Sequence, residues 1–196
     1  GIFGIDEDIF NKNILRFISS DGGFYESVNG GATWKVKERF KEGLLQLIAD
    51  KRVSGKFWVR TSKGTILKTV DGGVNWVNVS ENLKEFDGSK NIQDLTFDKG
   101  SLFIYSASDF GVLRSFDGNG RWSKIPLLVP SETLPIKSIA IDPKNSNIMY
   151  TGAKSQFYKS FDNGNSWNIV QLPTNREVSR IVVDPLDSDI IYVGLE

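Results

Sequence analysis

One eight-residue pattern occurs four times in this chain, and that repetition constrains the fold more than any other feature. SVNGGATW spans 27–34, TVDGGVNW 69–76, SFDGNGRW 115–122 and SFDNGNSW 160–167. Each copy opens on a hydroxyl, places Asp or Asn third and closes on Trp eighth. The tryptophans stand at 34, 76, 122 and 167, so the period is 42 to 46 residues. A fixed period of this size is the mark of a repeat architecture.

The repeat extends well beyond the box. LRFISSDGGFYESVNGGATW (15–34), FWVRTSKGTILKTVDGGVNW (57–76), FIYSASDFGVLRSFDGNGRW (103–122) and IMYTGAKSQFYKSFDNGNSW (148–167) align over twenty residues without a gap. Upstream of each copy runs a further apolar segment, FGID at 3–6, LQLIAD at 45–50, LTFD at 95–98 and SIAIDP at 138–143, and a fifth, RIVVDP at 180–185, follows the last copy.

Within a unit, FISS, WVRT, IYSA and MYTG are rich in β-branched and aromatic residues and are bounded by turn formers, as strands are. FYES, ILKT, VLRS and FYKS alternate apolar and polar residues up to the box hydroxyl, which is the half-buried strand pattern. KVKE, VNVS, SKIP and NIVQ follow the tryptophans. With the upstream segment, each unit has four strands. KERFKEGLLQLI is the nearest approach to an amphipathic helix, but Gly43 and the repeat register assign it to a loop and a strand.

Four antiparallel strands per unit of this length predict an all-β chain of β-propeller blades. The expected organisation is a single domain over 1–196, with blades at about 1–40, 43–86, 90–130 and 136–175 and a partial fifth over 178–196. A blade cannot bury both faces alone, so neighbouring units must stack. The partial fifth has no third or fourth strand, and this predicts a fragment of a larger propeller or a second chain over the edge, most simply a homodimer through residues 178–196. The poor match of FGID leaves a second option, with Arg180–Asp184 taking its place in a closed four-bladed ring.

The box chemistry fits a folded clip. Asn29, Asp71, Asp117 and Asp162 are placed to accept backbone N–H groups of their own turns. Gly31, Gly73 and Gly164 permit a positive φ. Ser27, Thr69, Ser115 and Ser160 supply hydroxyls, with Thr33 and Ser166 near the far end. Trp34, Trp76, Trp122 and Trp167 carry the largest apolar area and are expected to be buried. An acid, a hydroxyl and an amide together also suit catalysis or calcium, but structural groups recur in every unit and catalytic groups do not. The distal Glu of a calcium loop is missing.

Composition narrows the function classes. The chain has no Cys and no His, which excludes disulfides, thiolate nucleophiles and histidine acid–base chemistry. Lys plus Arg and Asp plus Glu both number 24, so no net field draws the chain to nucleic acid or an anionic membrane. No apolar run approaches the ~20 residues of a membrane-spanning helix.

The pattern S-x-D-x-G-x-[ST]-W resembles the Asp-box, or BNR, repeat. The stretch 141–167 is similar to repeats of photosystem II stability and assembly factor-like propellers, sortilin-type receptors and xyloglucanase-type glycoside hydrolases. SFDGNGRW departs from the pattern at Asn119 and Arg121. The resemblance implies structural boxes remote from any ligand site, no cofactor and no metal, and an extracytoplasmic location. Boxes alone carry over no catalytic residue.

Two functions compete. The first is a non-catalytic scaffold gripping a protein or peptide. The second is part of a glycoside hydrolase acting on a polysaccharide, with carboxylates drawn from Asp87, Asp109, Asp142 or Asp184 and Trp58 free to stack on sugar. Asp142 and Asp184 precede Pro in matching repeats, which favours turn formation. The three prolines of KIPLLVPSETLP (124–135) predict a protruding loop; exposed apolar residues at Leu127, Leu128 and Val129 suggest a contact site, with packing against a neighbouring blade the commoner outcome.

Overall fold

The computed structural model describes residues 1–128 and 134–196, and these form antiparallel sheets with almost no helix. The chain divides into two compact units, Gly1–Glu81 and Asn82–Glu196.

The first unit holds two four-stranded meanders. One runs β1 (Ile2–Glu7), β2 (Leu15–Ser19), β3 (Gly23–Ser27) and β4 (Lys35–Arg39); the other runs β5 (Leu44–Ala49), β6 (Phe57–Thr61), β7 (Ile66–Thr69) and β8 (Val77–Asn78). Alternation along β2 and β3 puts Ile18 and Phe24 on one face, where they meet Leu44, Phe57 and Val59 of the second sheet in one buried cluster. Full burial of side chains of this size stabilises by about 1.5–3 kcal/mol each. The face-to-face stacking expected of such units is present here.

The second unit opens with a short 3-10 turn at Glu81–Glu85, which the sequence reading did not foresee. It continues with β9 (Ile92–Phe97), β10 (Phe103–Ser108), β11 (Gly111–Phe116) and β12 (Ser123–Ile125), then β13 (Ser138–Ile141), β14 (Met149–Ala153), β15 (Gln156–Ser160) and β16 (Asn168–Gln171). A two-stranded sheet of β17 (Val178–Val183) and β18 (Ile191–Leu195) completes it. Tyr105, Val112, Ile125, Ile139, Met149 and Tyr158 belong to one core cluster. Ala140, Tyr150, Val178, Ile181 and Val183 form a second. The chain thus carries four complete blades and a partial fifth.

Residues 3–6 lie in a strand, where Asp6 faces Arg16 across the β1–β2 ladder and pairs with Lys51. Asp8 takes the place of Asp50, Asp142 and Asp184, because its amide closes a turn of the same span. Asp8 N bonds Ile14 O, as Asp50 N bonds Lys56 O and Asp142 N bonds Ile148 O. Trp58 is fully buried and is therefore not free to stack on sugar. In the proline-rich segment, Ile125 is a buried strand residue and Leu127 packs against the core, so they do not form an exposed contact site. Leu128 is exposed, while Val129 and the rest of that expectation over 129–133 lie outside the described residues.

Candidate functional site

Three of the four box turns share one bonding scheme. In the second box, Thr69 Oγ1 accepts from the amides of Asp71 (3.3 Å) and Gly73 (3.0 Å) and donates to Asp71 Oδ1 (2.8 Å). Asp71 Oδ1 accepts from the amides of Val74 (3.1 Å) and Asn75 (2.9 Å), and its Oδ2 from Asn75 Nδ2 (2.7 Å). Bonds from the Asn75 amide, first of all, hold the Asp71 carboxyl down at about 2. Ser160, Asp162, Gly164 and Ser166 repeat the scheme, with Ser166 the chief cause of a lowered Asp162 pKa. Ser27, Asn29, Gly31 and Thr33 do so with a neutral acceptor.

The third box differs. Its left-handed residues are Asp117, Gly118 and Gly120, whereas the other boxes use positions four and five. The acceptor role shifts to Asn119, whose Oδ1 receives the Arg121 amide at 3.0 Å and lies 3.4 Å from Ser115 Oγ. A non-glycine residue at position five has moved the left-handed pair one place earlier.

Two of the box tryptophans, Trp76 and Trp167, reach beyond their own turns. Trp122 and Trp167 are buried, but Trp34 and Trp76 are only half-buried. Trp76 stands edge-on to Phe24 and Phe40 of the first sheet, each 5.3 Å away, and Trp167 Nε1 donates to Pro126 O at 2.8 Å. Trp34 stands edge-on to Phe17 of its own sheet at 4.7 Å and is partly open.

A second repeated device joins the sheets. Asp8 accepts amides of Phe10 and Asn11, Asp98 those of Gly100 and Ser101, Asp142 those of Lys144 and Asn145, and Asp184 those of Leu186 and Asp187. The hydroxyl four residues after the turn acid then reaches back to the preceding sheet. Ser54 donates to Asp8 (2.5 Å), Ser188 to Asp142 (2.8 Å), and Ser146 to Asp98. Burial raises the pKa of Asp8 and Asp98, yet hydrogen bonds hold both below the ordinary value, from Ser54, the Phe10 amide and Arg16 at Asp8 and from Ser101, Ser146 and backbone amides at Asp98. Asp142 and Asp184 are accordingly turn residues here. The turn acids Asp8 and Asp50 line one narrow cleft with Asp6 and Glu7, where Asp8 is paired with Arg16 and Ser54 and Asp50 with Arg52 and Lys56.

The opposite strand ends of the third sheet offer a different surface. Residues 84–91 form an open recess of about 370 Å³ lined by Lys84, Phe86, Asp87, Gly88, Lys90 and Asn91. That volume lies in the range of small-ligand and peptide pockets. Leu83 is buried beneath the segment, and its carbonyl receives Ser89 Oγ (2.5 Å) and the Phe86 amide (2.9 Å). Phe86 stands edge-on to Phe110 at 5.2 Å. The two acids outside the repeat register, Asp87 and Asp109, meet here. Gly88 sits against Asp109, whose Oδ2 accepts from Asn91 Nδ2 (2.8 Å) and whose Oδ1 accepts from Gln93 Nε2 (3.3 Å). Asp87 is exposed and, among the described residues, accepts its neighbour's amide, from Gly88, at 3.0 Å. The recess therefore presents two ammonium groups, one carboxylate, one amide and one ring edge. Lys84, Phe86 and Lys90 carry no sequence signal, since they fall between repeats.

No group of three or more acids suited to a metal ion occurs among the described residues. No described helix is long and apolar enough to cross a membrane.

No family model matches the chain, and no curated protein does. Solved structures do. The glycoside hydrolase family 74 xyloglucanase of Xanthomonas campestris superposes with a TM-score of 0.76 at 14% identity, covering 96% of this chain and 34% of its own. YCF48, solved with a D1 peptide bound, gives 0.71 at 15% identity over 93% of this chain and 58% of its own. The extracellular domain of a putative one-component system from B. thetaiotaomicron gives 0.74 at 15% identity over 99% of this chain and 25% of its own. The chain spans about a third of the length of the xyloglucanase. At these identities the likeness carries the fold, and that fold is the β-propeller.

Proposed function

We propose that this chain is a non-catalytic scaffold whose four turns are Asp-boxes of the BNR type, and which holds a protein or peptide partner at the recess of residues 84–91. One observation carries the reading. The candidate carboxylates other than Asp87 are engaged in structure: Asp109 by two amide side chains, and Asp71, Asp162, Asp142 and Asp184 by their own backbones. A glycoside hydrolase needs a carboxylate pair flanking the bond it cleaves. Asp87 alone does not make one. Rigid backbone, two lysines, a carboxylate and an aromatic edge suit a peptide with polar and apolar side chains. The peptide-bound neighbour supports a protein partner, and the extracellular neighbour supports an extracytoplasmic site of action.

The xyloglucanase likeness sustains polysaccharide hydrolysis as the second reading. Incubation with a panel of β-glucans including xyloglucan separates the two. The expected result is no release of reducing ends above blank, together with saturable binding to an immobilised peptide library that Lys84→Glu/Lys90→Glu abolishes. Hydrolysis that disappears in both Asp87→Asn and Asp109→Asn would replace the scaffold reading with the enzyme.

A further inference from the structure

The chain holds three Asn-Gly steps, at 29–30, 119–120 and 163–164, and each lies inside a box turn. Asparagine followed by glycine is open to one reaction that needs no catalyst. The glycine amide nitrogen, once deprotonated, attacks the asparagine Cγ, since the glycine has no side chain to hinder the backbone rotation this needs. The N–Cγ bond forms, the Cγ–Nδ2 bond breaks, and ammonia leaves with the proton that the glycine amide gave up. One water then opens the five-membered imide at either carbonyl, which yields aspartate or isoaspartate.

The fold treats the three steps differently. At the first, the Gly30 amide is held by Asn13 O at 2.9 Å, Asn29 Nδ2 donates to Thr33 Oγ1 at 2.9 Å, and its Oδ1 accepts the Thr33 amide. At the last, Gly164 is buried and its amide donates to Ser160 Oγ at 2.9 Å, while Asn163 Oδ1 accepts the Tyr105 hydroxyl at 3.3 Å. A Cβ on Gly164 falls 2.4 Å from Ile125, so this backbone is pinned as well. The middle step escapes because its box is shifted. Leu102 O takes the Asp117 amide at 2.7 Å, a bond that position four gives in the other boxes, and Gly120 is left beyond the bonded stretch. Asn119 is exposed, and among the described residues neither its Nδ2 nor the Gly120 amide makes a hydrogen bond. Its Oδ1 accepts the Arg121 amide at 3.0 Å, with Ser115 Oγ at 3.4 Å. That amide donor polarises Cγ and faces the oxyanion that forms as the nitrogen adds.

We propose that Asn119 is a site of spontaneous modification, converting to aspartate and isoaspartate in the folded protein well ahead of Asn29 and Asn163. Each bond that must open before attack slows it by up to about tenfold, on the ordinary strength of such a bond. Asn29 and Asn163 carry such bonds on the glycine amide as well as on the side chain, whereas the bond at Asn119 Oδ1 assists the attack. The two products differ in what they do to the turn. Aspartate puts a carboxylate where the Arg121 amide already points, the charged acceptor that the second and fourth boxes have in Asp71 and Asp162. Isoaspartate runs the main chain through its side chain and leaves a free α-carboxylate. The extra backbone carbon enters directly before Gly120, which is left-handed and stands two residues ahead of the buried Trp122.

The test is a time course on the folded protein at mildly alkaline pH, followed by peptide mapping with mass spectrometry. The mass gain of deamidation is expected first in the peptide holding Asn119, about tenfold or more faster than at Asn29 or Asn163. Part of that peptide is expected to accept a methyl group from S-adenosylmethionine through protein-isoaspartate methyltransferase, which marks the isoaspartyl product. In concentrated guanidinium the three steps are expected to convert at closely similar rates, since the bonds that separate them are gone. Asn119→Gln can close only a six-membered ring and is expected to lose the signal at this peptide. The time course on the parent protein needs no substitution, so the proposal stays open to refutation even where the variant misfolds. It is overturned by Asn29 or Asn163 converting as fast as Asn119 in the folded protein. It is equally overturned by an unmodified Asn119 over the time in which the unfolded chain reacts, or by methyl labelling confined to another step.

Discussion

Gly73 carries φ +89°, and a Cβ at that position falls 2.5 Å from Cε1 of Phe24 on the neighbouring sheet. Gly30 carries φ +65° in the first box, yet its nearest outside atom is 3.7 Å from the same construction. Conformational strain acts at both positions, but the clash acts at only one. Gly73→Ala is therefore expected to cost about 2–4 kcal/mol and Gly30→Ala only about 1 kcal/mol in denaturant unfolding. Equal costs would mean that the close approach to Phe24 is not felt. The Asp71 carboxyl makes a separate prediction. Its folded pKa of about 2 lies below the unfolded value, so its stabilisation is complete above about pH 4 and disappears as the pH falls toward 2. Asp71→Asn is expected to flatten the fall in denaturation midpoint across that window, and an unchanged slope would remove Asp71 as its source. The box hydroxyls and acids were legible in the sequence because their side chains bond within five residues. The shift to Asn119 was not, since it depends on which residue adopts the left-handed conformation.

At the scale of elements, the periodic strands could be read from the chain, and the joints between sheets could not. Asp50, Asp98, Asp142 and Asp184 stand out by position, while Asp8 was masked by Asp6 in FGID, which imitates the apolar-then-acid pattern two residues early. Ser54, Ser146 and Ser188 recur four residues after a turn acid, but a serine in a turn is unremarkable until its partner on another sheet is known. Asp8 and Asp98 are buried, and each accepts a hydroxyl from the next sheet in addition to the bonds made within its own. Ser54→Ala and Ser146→Ala are each expected to cost about 1.5–3 kcal/mol, as bonds to charged groups do. NMR titration of the Asp8 and Asp98 carboxyls should show the pKa of the affected acid rising in each variant. Loss of stability without that rise would assign the effect to packing instead. The recess of residues 84–91 lay beyond reach for another reason: its residues fall in a connection whose length differs in every unit, so no register places them.

The joints also bear on how the whole molecule unfolds. In the first unit the hydroxyl joint runs from Ser54 to Asp8, and in the second from Ser146 to Asp98 and from Ser188 to Asp142. The second unit adds a polar stitch along its first strands. Ser138 Oγ donates to Asp94 (2.9 Å) and accepts the Ile181 amide (3.0 Å), and Arg180 reaches Asp94 at 2.6 Å. Ser138 is fully buried and is both donor and acceptor between three sheets, whereas Ser188 is only half-buried and makes one bond to Asp142. Nearest-neighbour coupling governs repeat proteins, so loss of a bond shared by three sheets is felt by all of them. Ser138→Ala is expected to cost about 1.5–3 kcal/mol in denaturant unfolding, because it leaves the Asp94 carboxylate and the Ile181 amide short of a partner, and Ser188→Ala is expected to cost less. Equal costs would show that the stitch through Ser138 carries no more than a single surface bond.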